Sequence, residues 1–262
     1  MTGNKFRGET CAFCSVRPST TDDHVLAKGW FVEAQRDNLA QVPACAVCNG
    51  LKAKLESELM VVLPFGARHA DSTENLSRLG GKRFVNKANI RHALRLQRAV
   101  ARPWVRDRGV VRPGMTVPID WEKVEALCEY IARGLAWHEL DRLQLGADCF
   151  VEAHSLIGPV GRTLRHLRQL NAGRRVERNI GNQTFRYWAA QSSDNPQITV
   201  WEISFYGSLR SERSGDGPHN IGVMTAPKRV RDSAEQKSEL LRKWRTGTRL
   251  HEQGTRLHRD IG

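Results

Sequence analysis

The clearest alternation in the chain runs over residues 198–206. Ile198, Val200, Glu202, Ser204 and Tyr206 take one face, and Thr199, Trp201, Ile203 and Phe205 take the other. A period of two in an aromatic and β-branched run predicts a strand. Shorter apolar or aromatic runs at 149–154, 185–191 and 221–224 predict further strands. Helical spacing holds for Val124, Leu127, Cys128, Ile131 and Leu135, with Asp120 placed as the N-cap. A weaker stripe of Ile90, Ala93, Leu94 and Gln97 makes 89–100 a basic helix, and 161–170 also reads as helical. Strands grouped with helices beside them predict the α+β class, with a small antiparallel sheet-plus-helix domain.

Four segments follow from the shifts in pattern. Residues 1–64 hold cysteines and a histidine, and 65–118 read as a basic helical linker. Residues 119–227 make the α+β C-terminal domain, and 228–262 form a charged tail expected to be disordered. That tail carries a near-repeat at 247–251 and 254–258, with leucines seven apart. Two heptads containing glycine are too few for a coiled coil.

Charge narrows the partners. Lys and Arg number 41 against 28 Asp and Glu, a net charge of +13. Such a surplus predicts a polyanionic partner, most simply nucleic acid, with Arg91, Arg95 and Arg98 of the basic helix as phosphate contacts. The alternative is a basic protein kept soluble by its charge. The sequence shows no apolar signal segment, no bilayer-length apolar run and no basic amphipathic helix with aromatic anchors. The expectation is therefore a cytoplasmic protein that binds no membrane.

The cysteines change the picture most. Cys11-x-x-Cys14 and Cys45-x-x-Cys48 are two knuckles in one short segment, the natural supply of four thiolates for a structural zinc ion. Disulfides are the rival, disfavoured in a reducing cytosol. The remaining Cys128 and Cys149 sit in apolar surroundings and read as core residues. Between the knuckles lie Asp22, Asp23, His24, Asn38 and Leu39, and Asn49 follows the last cysteine. A helix expected from Ala46 through Glu58 places Asn49, Lys52 and Glu56 on one face. Lys52 is expected to meet a phosphate, and Glu56 to pair with it at the surface rather than bind metal. Residues 14–38 should form a hairpin or an omega-like loop, ended by Pro43.

This run, with Cys11, Cys14, Asp23-His24, Asn38-Leu39, Val42-Pro43, Cys45, Cys48-Asn49 and Lys52, resembles the HNH endonucleases of the zinc-stapled ββα-metal type over roughly residues 8–60. Arg133-Gly134-Leu135 and Trp137-His138 also resemble the C-terminal part of uncharacterised bacterial HNH proteins. The resemblance implies an N-terminal ββα-metal module that hydrolyses phosphodiester bonds. It implies His24 as general base and Asp23 with Asn49 as ligands of a catalytic magnesium or manganese ion. It implies Asn38 as the residue that orients the His24 loop or ring by hydrogen bonding. Adjacent strand residues point to opposite faces, so Asp23 and His24 can share a site only if the backbone bends. Many relatives carry prolines after the histidine, where this chain has Leu26-Ala27; Lys28 keeps the basic residue and is a further phosphate contact. Asp22 is a rival for Asp23, decided by adjacency to His24.

The leading expectation is a metal-dependent DNA endonuclease, with defence against foreign DNA as an association. The alternatives are a non-catalytic zinc module that grips nucleic acid, or a nuclease acting on RNA. The C-terminal domain would read substrate, bind a protein partner or hold a homodimer.

Overall fold

The computed structural model describes residues 4–67, 71–74, 77, 98–102, 104–107, 110–157, 173–209, 219–228 and 256–260. It is a mixed α/β structure with one five-stranded antiparallel sheet and few helices among the described residues.

Strands β1 (Thr21–His24) and β2 (Gln41–Ala44) pair antiparallel, with Asp23 opposite Val42 and His24 opposite Gln41. Pro43 therefore lies within a strand rather than closing the loop, and its carbonyl accepts from Ala12 N–H at 2.9 Å. Between the strands the chain makes two 3-10 turns, Lys28–Trp30 and Glu33–Gln35. It turns back at Asn38, whose φ of 59° is a left-handed conformation that asparagine tolerates. Helix α1 (Ala46–Val62) starts after Cys45, as expected, and extends past Glu58.

The segment expected as a helical linker instead ends in strands. β3 (Trp104–Asp107) and β4 (Val110–Pro118) form a hairpin, because Val110, Val111, Thr116 and Val117 favour extended backbone. The tail is corrected as well. β10 (Arg256–Asp260) pairs with β4, Leu257 opposite Val117, so part of the second near-repeat is a strand. Most of the basic helix, with Arg91 and Arg95, and the helix expected at 161–170 lie outside the described residues.

The large sheet contains β5 (Cys149–Ser155), β6 (Arg174–Ile180), β7 (Phe185–Gln191), β8 (Thr199–Phe205) and β9 (Ile221–Pro227), in the order β5-β9-β8-β7-β6. The alternation expected over 198–206 holds from Thr199 to Ile203 and then ends, since Ser204 and Tyr206 of the opposite face are buried too. Thr199, Trp201, Ile203 and Phe205 are all buried, while Val200 and Glu202 are half-buried. β6 escaped sequence reasoning because it is charged and buries only Val176 at an edge.

Helix α2 (Trp121–Glu139) joins the parts. Asp120 caps it, accepting from Lys123 N–H at 3.3 Å, and Val124, Leu127, Cys128, Ile131 and Leu135 are fully buried. One side packs on β5 and β9 and the other on α1 and β2. Gly134 permits the second contact, since a Cβ there would meet the Val25 side chain at 3.0 Å. Phe6 packs on Trp137, Phe13 on Tyr130, and Trp30 on Phe205, each edge to face at 5.2–5.5 Å. The Tyr206 hydroxyl donates to the Trp30 carbonyl at 3.0 Å. The buried side chains of residues 6–63 and those of 117–223 thus belong to one continuous cluster. Each large side chain buried there contributes about 1.5–3 kcal/mol.

Candidate functional site

The hairpin closed by the Thr10–Pro18 bridge carries Cys11 and Cys14, and the junction of β2 with α1 carries Cys45 and Cys48. Their four Sγ atoms lie within 4.8 Å of one another, and none is in a disulfide. A zinc ion with Zn–S bonds of about 2.3 Å needs sulfurs roughly 3.8 Å apart, so the cluster fits one tetrahedral ion. Four thiolates would fill the shell of such an ion and leave no open position for water.

Local electrostatics prepare it. Cys45 is the residue before α1, and α1 has no acidic residue in its first turn, so the thiolates meet the positive end of the helix. Burial opposes ionisation of Cys45. Hydrogen bonds from the Cys48 backbone and side chain, and from Arg17, outweigh it and bring the thiol down to about 7. Burial, then the hydrogen bond with Cys45, drives Cys48 the other way, and burial raises Cys11. Thiols this close cannot all ionise alone; a divalent cation removes the conflict. Arg17 was not anticipated. Its position three residues after a knuckle was the only sequence signal.

The second cluster sits where β1 faces α1. The Lys52 ammonium is 1% exposed and reaches the His24 carbonyl at 2.7 Å, Glu56 Oε1 at 2.5 Å and Asp23 Oδ2 at 3.0 Å. The expectation of a surface Lys52 touching phosphate is therefore corrected: all three ammonium donors are turned inward. The pairing with Glu56 is present, but it is buried rather than on the surface. Replacing Lys52 by Met would strand two carboxylates, and we expect it to destabilise the fold by about 3–5 kcal/mol in denaturant titration. A loss below ~1 kcal/mol would show that water relieves the pair.

Asn49 lies one turn before Lys52 and donates to Thr21 Oγ1 at 3.0 Å, which places it along the same β1–α1 face as Asp23. Asp22 belongs elsewhere, since its carboxylate accepts from the backbone N–H groups of Lys5 and Phe6 at 2.6 and 3.0 Å.

β1 keeps its pairing through His24, so Asp23 turns toward α1 while the His24 ring lies beside its cross-strand partner Gln41. Gln41 Nε2 is 3.1 Å from His24 Nε2. Burial first, then the charge of Lys28, hold the imidazole below its ordinary 6.5. The Leu39 backbone and the Asp23 carboxylate act in the opposite sense. The Leu39 contact falls short of hydrogen-bond geometry, so Nδ1 is buried without a partner. Asn38 does not act as expected. Its side chain is exposed and makes no hydrogen bond to His24; its left-handed turn instead carries Leu39 past the ring. Lys28 is exposed near His24, and Arg98 is exposed.

Asp23 Oδ2 is also buried without a hydrogen bond, since Lys52 faces it as an ion pair only. A carboxylate with an asparagine amide along the same face is a donor set that suits a hard divalent cation, although here the Lys52 ammonium already balances the Asp23 charge at 3.0 Å. Among the described residues no helix is long and apolar enough to cross a membrane. No family model, curated protein or solved structure matches the chain.

Proposed function

We propose that the protein is a metal-dependent phosphodiester hydrolase of the HNH type acting on nucleic acid, with DNA as the first substrate to test. The observation that supports this reading is the small β1–β2–α1 unit beside the four cysteines, with Asp23 and Asn49 along the β1–α1 face and His24 next to Asp23 on β1. Asp23 and Asn49 would hold a magnesium or manganese ion, which when bound supplies charge neutralisation at the scissile phosphate. His24 takes the proton from water. With Gln41 as donor to Nε2, the lone pair sits at Nε2, the atom a water would approach once Gln41 gives way. Lys28 and Arg98 are the described basic groups that support phosphate binding.

The deciding experiment incubates purified protein with supercoiled plasmid, or with single-stranded RNA, in magnesium, manganese or EDTA. Nicking or cutting in the metal arms only supports the reading. A second reading has one observation in its favour: Lys52 already supplies a cation to Asp23 and Glu56. On that reading the module grips nucleic acid without cleaving it, and all arms leave both substrates intact.

The pH profile carries a sign. His24 works when neutral, and its pKa lies below 6.5. Cleavage should therefore rise with pH in kcat/KM with its midpoint below pH 6.5. A midpoint above 6.5 would exclude His24 as the base.

Binding should weaken steeply with salt. Each phosphate contacted adds about −0.9 to the log–log slope on duplex DNA and about −0.7 on single strands. A slope near zero would mean that the +13 charge serves solubility instead.

A further inference from the structure

Behind the cysteine cluster, where α2 meets the turn before β5, lies a cavity of about 380 Å³. Phe13 and Tyr130 give it an aromatic wall, Glu129 and Arg133 line it from α2, and Ala147 and Lys228 border it from the C-terminal part. Its volume is about a dozen times the share of one water in the liquid, which is small-molecule size.

Its charged groups keep hydrogen-bonding capacity that the protein does not use. The half-buried Arg133 guanidinium donates to the Leu145 carbonyl, and among the described residues no carboxylate lies within 4.0 Å of it. A guanidinium carries five N–H donors, so most of its capacity is unspent in a place where unspent capacity is costly. The Lys228 ammonium is exposed at the border and also lacks an ion pair among the described residues. Burial pushes the Glu129 carboxyl up to about 7 against the opposing charge of Arg133.

We infer that this cavity binds a mononucleotide, its phosphate held by Arg133 and Lys228 and the amino edge of its base by Glu129. A base meets apolar aromatic surface there, chiefly from Tyr130, since Phe13 is buried and packs edge to face on it. A phosphate takes two cationic partners, one of them a guanidinium able to bind in a fork. Glu129 accepts from the Ala153 backbone and has further lone pairs, which the exocyclic amine of guanine, adenine or cytosine can meet. Inorganic phosphate would leave both Glu129 and the aromatic wall unused. The rival role for the cations is to balance the negative charge of a zinc–thiolate cluster, since Cys14 and Cys48 also border the cavity. Arg17 supplies one positive charge to that cluster through its hydrogen bond with Cys45, and Arg133 also feels the charge of Cys48, so the zinc-loaded protein is the form to titrate. The inference does not depend on the hydrolase reading.

The test is calorimetric titration of the zinc-loaded full chain with GMP, CMP, UMP and inorganic phosphate. GMP or CMP should bind at least about tenfold tighter than UMP or phosphate, the equivalent of one good polar contact. Ala147→Trp, at an exposed border residue, should abolish binding while zinc content and melting temperature stay unchanged. Lys228→Glu should weaken binding about tenfold, also without loss of zinc. Four results would overturn the proposal. These are no binding by any probe at millimolar concentration, phosphate binding as tightly as GMP, binding unchanged in Ala147→Trp, or loss of zinc from Lys228→Glu with nucleotide binding intact.

Discussion

His24→Ala is expected to cut cleavage by about 10²–10⁴-fold, the usual contribution of a general base, with zinc content, fold and nucleic-acid affinity near wild type. The ring is half-buried and makes one side-chain hydrogen bond, to Gln41, so its removal should disturb little else. Asp23→Ala and Asn49→Ala should also abolish cleavage, through loss of the cation. Raising magnesium or manganese should then partly restore Asn49→Ala and leave His24→Ala inactive, because metal does not replace proton transfer. Asp23→Ala carries a second cost, since Lys52 would keep only Glu56 as its ionic partner. Its stability must therefore be measured beside its activity. Full cleavage by His24→Ala, in a preparation free of host nuclease, would end the HNH mechanism and favour the binding module.

The sequence made the four cysteines, the capped helix α2 and the strand β8 legible because each has strong local periodicity or spacing. It made β3, β4 and β10 invisible, for a physical reason. Arg106, Arg112 and Arg259 interrupt the apolar pattern of all three, and β10 pairs with β4 across more than a hundred positions, which leaves no local trace. The Asp23, Asn49, Lys52 and Glu56 grouping was half legible. Helical spacing put the last three on one face, but it could not say that the face is buried under β1. That burial converts a surface lysine into a clamp on the His24 carbonyl. The role expected of Asn38 failed for a related reason: a left-handed φ is a backbone property, and asparagine serves it without using its amide.

Zinc removal should have the largest effect on the fold. In small zinc modules the metal contributes on the order of 10 kcal/mol, comparable with the roughly 5–15 kcal/mol total of a typical domain. Here Cys11, Cys45 and Cys48 belong to the same buried cluster as Trp30, Leu135, Trp201 and Phe205. The loss should therefore not stop at residue 64. Val25 and Phe13 pack against α2 at Gly134, and Trp30 packs against Phe205 on the large sheet, so freeing the cysteine knuckles uncovers the faces of both. Cys45→Ser, or wild type treated with a strong chelator, should show one cooperative loss of tertiary signal that includes the tryptophans of the sheet. Cys128→Ala, a fully buried thiol outside the cluster, should keep one zinc per chain. Zinc analysis, near-ultraviolet circular dichroism and amide exchange on β8 read the three quantities separately. Full zinc occupancy in Cys45→Ser would remove the four-cysteine site. Retained protection of β8 after zinc loss would show that the sheet and α2 stand without the metal-tied unit.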